Sequence, residues 1–123
     1  MKRDMDLVRG ILMAHEIDDG GESIRSLGND GYSDEQIGFH TYLMGQKGLL
    51  KTIESQGDRD QYPSADVLHI TWDGYDFLEQ ARKPAMWDAA KRKLADAGVG
   101  CTIELLKQAL IAASKQALGL ALA

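Results

Sequence analysis

Cysteine is nearly missing from this chain of 123 residues: Cys101 stands alone, so no internal disulfide can form, and a single thiol suits a reducing, cytoplasmic compartment. Cations are short as well. Lys and Arg number 14 against 19 Asp and Glu, a formal net charge of −5, which argues against a surface coated for generic nucleic-acid binding. Long apolar runs are lacking. The residues after Met1-Lys2-Arg3 are not the apolar core of a secretory signal, and the stretch 109–123 is interrupted by Ser114, Lys115 and Gln116, too polar and short to span a bilayer.

Chemistry-bearing motifs are missing too. Neither a phosphate-cradling G-x-x-x-x-G-K-[ST] nor a strand followed by G-x-G-x-x-G occurs. His15, His40 and His69 stand apart, without metal-ligand spacing, and Asp18-Asp19-Gly20-Gly21-Glu22 lacks the alternation of a calcium loop. No nucleophile and base are placed together, so the expectation is no enzyme, no catalytic residue, no cofactor, no metal and no small-molecule substrate. His15 reads as a hydrogen-bonded core histidine, His40 as a core or interfacial side chain, His69 as a solvent-facing strand residue, and Cys101 as a small packed group.

What is present is an ordinary globular mixture, 44% apolar and 27% charged, in a chain long enough to bury roughly two thirds of its unfolded surface. Asp4 is placed to cap a first helix to about Ile17, with Leu7, Val8, Ile11, Leu12 and His15 on one face. Ser23–Leu27, closed by Gly28-Asn29-Asp30-Gly31, reads as a brief strand or extended connector. Ser33, with Gln36 in the capping-box position and Asp34 and Glu35 in the first turn, opens a second helix that Gly48 stops after Lys47. Residues 49–55 and 66–70 form a hairpin around a polar loop. Thr71 caps a third helix to Arg82, with Tyr75 or Leu78 and Trp72 or Phe77 facing inward, and Lys83-Pro84 breaks it. A fourth helix covers 85–97. A fifth starts at Thr102, with Ile103, Leu106, Leu110, Ala113 and Ala117 on one stripe.

Helix, short strand, helix, hairpin, helix is the order of a winged helix. Tyr42–Leu50 resembles the helix-to-strand passage of winged-helix regulators, and Leu68–Leu78 resembles the strand-to-helix passage beyond the wing. The expected fold is therefore α+β and mostly helical, a winged-helix-like domain over residues 1–82 with a C-terminal helical extension over 83–123. Through Met1–Arg9, Gly31–His40 and Ile70–Leu78 the chain also resembles, over nearly its whole length, an uncharacterised family of bacterial and phage or prophage proteins of unknown function. That resemblance implies a small soluble protein, often from a mobile element, with no catalytic residues to carry over.

A winged helix that reads DNA turns polar and basic side chains of its second helix outward. Here Ile37, Thr41, Met44 and Gly48 make the inner face, and the outer face carries Glu35, Phe39, Tyr42, Leu43 and Gln46, while Gly38 and Gly45 line a flank where another backbone could come close. Charge is divided along the chain: residues 1–81 carry −9 and residues 82–123 carry +4. The expected function is a protein-interaction module that binds a protein partner or its own copy through Phe39, Tyr42, Leu43, Gln46, Leu106 and Leu110, without membrane association. The alternative is a DNA-binding regulator using Gln46, Lys47, Lys51 and Arg59, with Lys91, Arg92 and Lys93 on phosphates.

Overall fold

The computed structural model describes residues 1–19, 21–55 and 62–122. In chain order they form α1 (Met5–Asp18), α2 (Glu22–Asn29), α3 (Asp34–Lys47), β1 (Leu50–Ser55), β2 (Ser64–Ile70), α4 (Trp72–Ala81), α5 (Pro84–Asp96) and α6 (Ile103–Leu122). This is a mostly helical α+β fold with one two-stranded antiparallel sheet, and α1 to α4 follow a winged-helix-like order. Two compact units result, Met1–Asp76 and Phe77–Ala123, so the division falls inside α4 rather than after Arg82.

Asp4 organises the first unit. Its Oδ1 caps α1 by accepting from the amides of Asp6 (2.9 Å) and Leu7 (3.2 Å), and its Oδ2 accepts from the Tyr32 hydroxyl (3.0 Å). Its own amide donates to Nε2 of His40 (2.8 Å), while His40 Nδ1 lies 2.8 Å from the Gln36 carbonyl. Because an amide only donates and a carbonyl only accepts, these two bonds assign a neutral ring with its proton on Nδ1. His40 is thus a satisfied core histidine, 1% exposed.

The segment read as a strand is a helix. Ile24 and Leu27 stand three apart, a helical spacing, and the Asp18 carboxylate accepts from the amides of Gly21 (3.0 Å) and Ser23 (2.9 Å), which supplies the start of α2. Leu27 is buried, and Gly10 leaves room for it against α1. α3 carries the full capping box between Ser33 and Gln36 and ends at Gly48 with φ +85°. Its buried residues are Ile37, His40, Thr41 and Met44.

β1 and β2 pair from Leu50 opposite Ile70 to Ser55 opposite Ser64, with a register shift between Lys51 and Thr52 that leaves Leu68 extra on β2. The flank of α3 marked by Gly38 and Gly45 is filled by this hairpin. A Cβ on Gly38 would lie 2.9 Å from Ser64 Cβ, and one on Gly45 would overlap the Thr52 side chain. Thr71 Oγ1 accepts from the Gly74 amide (3.1 Å) and so starts α4. The inward residues of α4 are Phe77, Leu78 and Ala81, whereas Trp72 is 82% and Tyr75 46% exposed. Trp72 and Tyr75 are therefore not core. Helical phase decides this, since they lie five and two residues before Phe77.

In the second unit α5 packs on α6. Phe77 and Trp87 meet edge to face at 6.1 Å, and Ala90, Leu94, Ile103, Leu106 and Leu110 complete the buried set. Thr102 Oγ1 accepts from the Leu105 amide (3.2 Å) at the start of α6. From Lys115 to Leu122 every residue of α6 is exposed.

Candidate functional site

The outer face of α3 is aromatic, as the sequence indicates, and the chain itself covers part of it. Phe39 lies 5.1 Å, ring to ring, from Tyr62 and stacks on Tyr42 at 6.3 Å. The Tyr62 hydroxyl accepts from the Met1 ammonium group (3.0 Å). Phe39, Tyr42 and Leu43 are each half-buried, and Glu35 and Gln46 are exposed, the Gln46 amide donating to the Tyr42 hydroxyl (3.1 Å). Tyr62 was not legible in advance, because it lies in an irregular segment where no periodicity marks an inward residue.

Leu106 and Leu110 do not belong to any surface. Both are 0% exposed, packed within the second unit, so the predicted interaction set keeps only its α3 members. The stripe that buries them stops short of the end of α6, where Leu118, Leu120 and Leu122 are 59%, 74% and 78% exposed.

The residues proposed for DNA are divided between the two units. Lys47 ends α3 and Lys51 lies on β1, both exposed, and the opposite end of α3 carries exposed Asp34 and Glu35. Lys91, Arg92 and Lys93 belong to the second unit, where the Lys91 ammonium sits 5.8 Å from the Trp87 ring centre. Arg59 lies outside the described residues. The first unit carries −8 and the second +3.

The other singled-out groups fall as follows. His69 is exposed and its Nδ1 donates to the Ile70 carbonyl (3.0 Å). His15 is half-buried rather than a hydrogen-bonded core histidine. Burial lowers its pKa from 6.5, opposed by the charges of Asp19 and Asp18. Cys101 is exposed, not packed. Among the described residues no cluster of three or more metal-ligating side chains occurs, and no helix is long and apolar enough to cross a membrane.

The sequence also understated a second surface of the first unit. Ile53, Leu68, Trp72 and Tyr75 are 57%, 54%, 82% and 46% exposed. Leu68 and Tyr75 share the wall of a cavity of about 60 Å³ with His15, Asp19, Val67, His69 and Ile70. A larger cavity of about 280 Å³ is lined by His15, Ile24, Asp34, Ile37, Gly38, Thr41 and Ala65 to Val67.

The chain belongs to the hypothetical-protein family DUF2513, whose model matches residues 2–100. It is similar to an uncharacterized protein of Haemophilus influenzae (strain ATCC 51907 / DSM 11121 / KW20 / Rd), with 27% identity over 111 residues, 88% of this chain and 91% of the relative. No solved structure matches.

Proposed function

We propose that this member of DUF2513 works by binding a protein, a partner or a second copy of itself, and not by catalysis. The observation that supports this reading most directly is Trp72, 82% exposed one helical turn before Tyr75 on the first unit. Tryptophan and tyrosine dominate the energetic centres of protein interfaces, and folded monomers seldom leave a tryptophan in water without use. The half-buried Phe39, Tyr42 and Leu43 extend the apolar surface on offer, and the −8 and +3 charges of the two units suit a salt-sensitive approach to a partner. A phage or prophage setting, with the cytoplasm as its compartment, makes a host regulator or defence protein the kind of partner expected.

A photo-crosslinking amino acid placed at Trp72, at Tyr42 and, as a control, at exposed Gln108 tests the proposal. Trp72 or Tyr42 should yield one discrete adduct that Gln108 does not, and Y75A should reduce capture at Trp72. Sedimentation shows whether the adduct is a self-dimer. The rival reading, a DNA-binding regulator, is favoured by the exposed Lys47, Lys51, Arg92 and Lys93. No adduct at either position, together with DNA retarded at low salt and released by R92A/K93A, would replace the protein-binding reading with that one.

A further inference from the structure

We propose that the open edge of β2 takes up an extended, basic peptide segment of a partner protein as an added strand. This rests on the protein-binding reading above and names where on the first unit, and by what chemistry, a partner engages.

The sheet has two strands, and β1 occupies only one edge of β2. Three cavities lie along β2: the 280 Å³ one beside Ala65 to Val67, the 60 Å³ one beside Val67 to Ile70, and one of about 220 Å³ beside Ser64 to Asp66 that Ser55 of β1 also lines. Successive residues of a strand point to opposite faces, so a cavity lined by three or four in a row runs along the strand's edge and not over one face. No residue of β1 lines the first two. Their other walls come from α1 (His15, with Asp19 at its end), α2 (Ile24), α3 and Tyr75 of α4, which places the groove on the side of β2 away from β1. The two halves share Val67, and the bulge at Leu68 lies within the smaller one.

Among the described residues no further strand fills that position, and residues 23–27 form part of α2 instead. An unpaired strand edge is a template for a further strand, and peptide recognition by strand addition uses such edges. The groove's shape fits that use. Six residues, Ala65 to Ile70, span about 20 Å of strand. The larger cavity, about 280 Å³, has room for a side chain of an added strand. At the far end the Ile70 carbonyl already accepts from His69, which sets a limit to the pairing.

Charge selects the occupant. Asp19, Asp34 and Asp66 line the groove with a half-buried His15, and no Lys or Arg contributes to either wall. Ile24, Ile37 and Val67 supply apolar lining. A strand with apolar residues on one side and Lys or Arg on the other satisfies both. A second copy pairing β2 to β2 would instead bring Asp66 of each copy to the same edge, like charge against like.

The test begins by panning a random library of short linear peptides against the full chain, then mapping the best binder by amide chemical-shift perturbation. Expected are Lys or Arg at alternate positions, shifts at His15, Asp19, Ile24 and Ala65 to Ile70, and backbone contacts between peptide and β2. The binder with Lys and Arg replaced by Glu should lose at least tenfold in affinity, and so should the D34N/D66N variant, whose two sites are exposed and whose amide spectrum reports its fold. No enriched peptide, a helical binder, an acidic binder, or shifts confined to Tyr42, Leu43 or Trp72 would overturn the proposal. A binder mapped to those last residues leaves the protein-binding reading standing; failure of the crosslinking together with DNA retardation removes both.

Discussion

Replacing Gly45 by alanine is the sharpest probe of how the hairpin is held on α3. A Cβ at this position overlaps Thr52 Oγ1 and lies 3.1 Å from Thr52 Cγ2 and 3.2 Å from Thr52 Cβ. Rotating the threonine does not solve the problem, because its Cβ is fixed to the strand backbone; β1 must retreat by a few tenths of an ångström. Overpacking of this kind costs about 1–3 kcal/mol. Alanine in a helix interior returns about 1 kcal/mol through propensity, so the net loss in G45A should be about 0–2 kcal/mol. Thr52→Gly removes all three of these atoms, and in that background Gly45→Ala should be neutral or stabilise by up to about 1 kcal/mol. The coupling between the two sites, read from urea denaturation of the four proteins, is therefore expected at about 1–2 kcal/mol. Equal effects of Gly45→Ala in both backgrounds would refute this packing and return the flank to the list of free surfaces.

Tyr32→Phe removes the bond to Asp4 and should cost about 0.5–1.5 kcal/mol at neutral pH. Burial first, then the Asp4 bond and the charges of Asp4, Asp6 and Asp30, push the Tyr32 pKa from 10.0 to about 12. The unfolded phenol gives up its proton before the folded one, so stability should fall as pH rises between those values, and Y32F should lose that part of the alkaline decline in a denaturation series. His15 behaves in the opposite sense. Its folded pKa lies below 6.5, so as pH falls from there the unfolded chain binds more protons and stability drops; H15Q should flatten that acid-side slope and leave stability above pH 6.5 without this pH term. In the second unit, Leu106→Ala should cost about 2–5 kcal/mol, while Leu120→Ala, at a position 74% exposed, should stay within about 0.5 kcal/mol by thermal melting.

Local chemistry made much of the fold readable. Capping residues with a single function, Asp4, Ser33 with Gln36, Thr71 and Thr102, marked the starts of four helices, and each makes the bond its side chain suggests. α2 escaped because its signal is carried by Asp18, outside the helix and at the end of the preceding one, where no local pattern assigns it a cap. Burial was harder to read than helicity. Trp72 and Phe77 are equally apolar, and only the phase set by Leu78 and Ala81 turns one inward and leaves the other in water. The Leu106 and Leu110 stripe shows the same ambiguity, since a repeat built to pack within the chain looks like one built for a partner until its neighbour is known.

Candidate surfaces depend on this difference between patterns that one segment carries and arrangements that several segments make. The aromatic outer face of α3 was visible because its residues share one helix. The groove beside β2 was not, since its walls come from α1, α2, α3, β2 and α4. The misread strand supplies the link: residues 23–27, read as extended, coil into α2 and leave β2 with an open edge. A polypeptide that adds there would complete the sheet with a strand that the described residues do not provide.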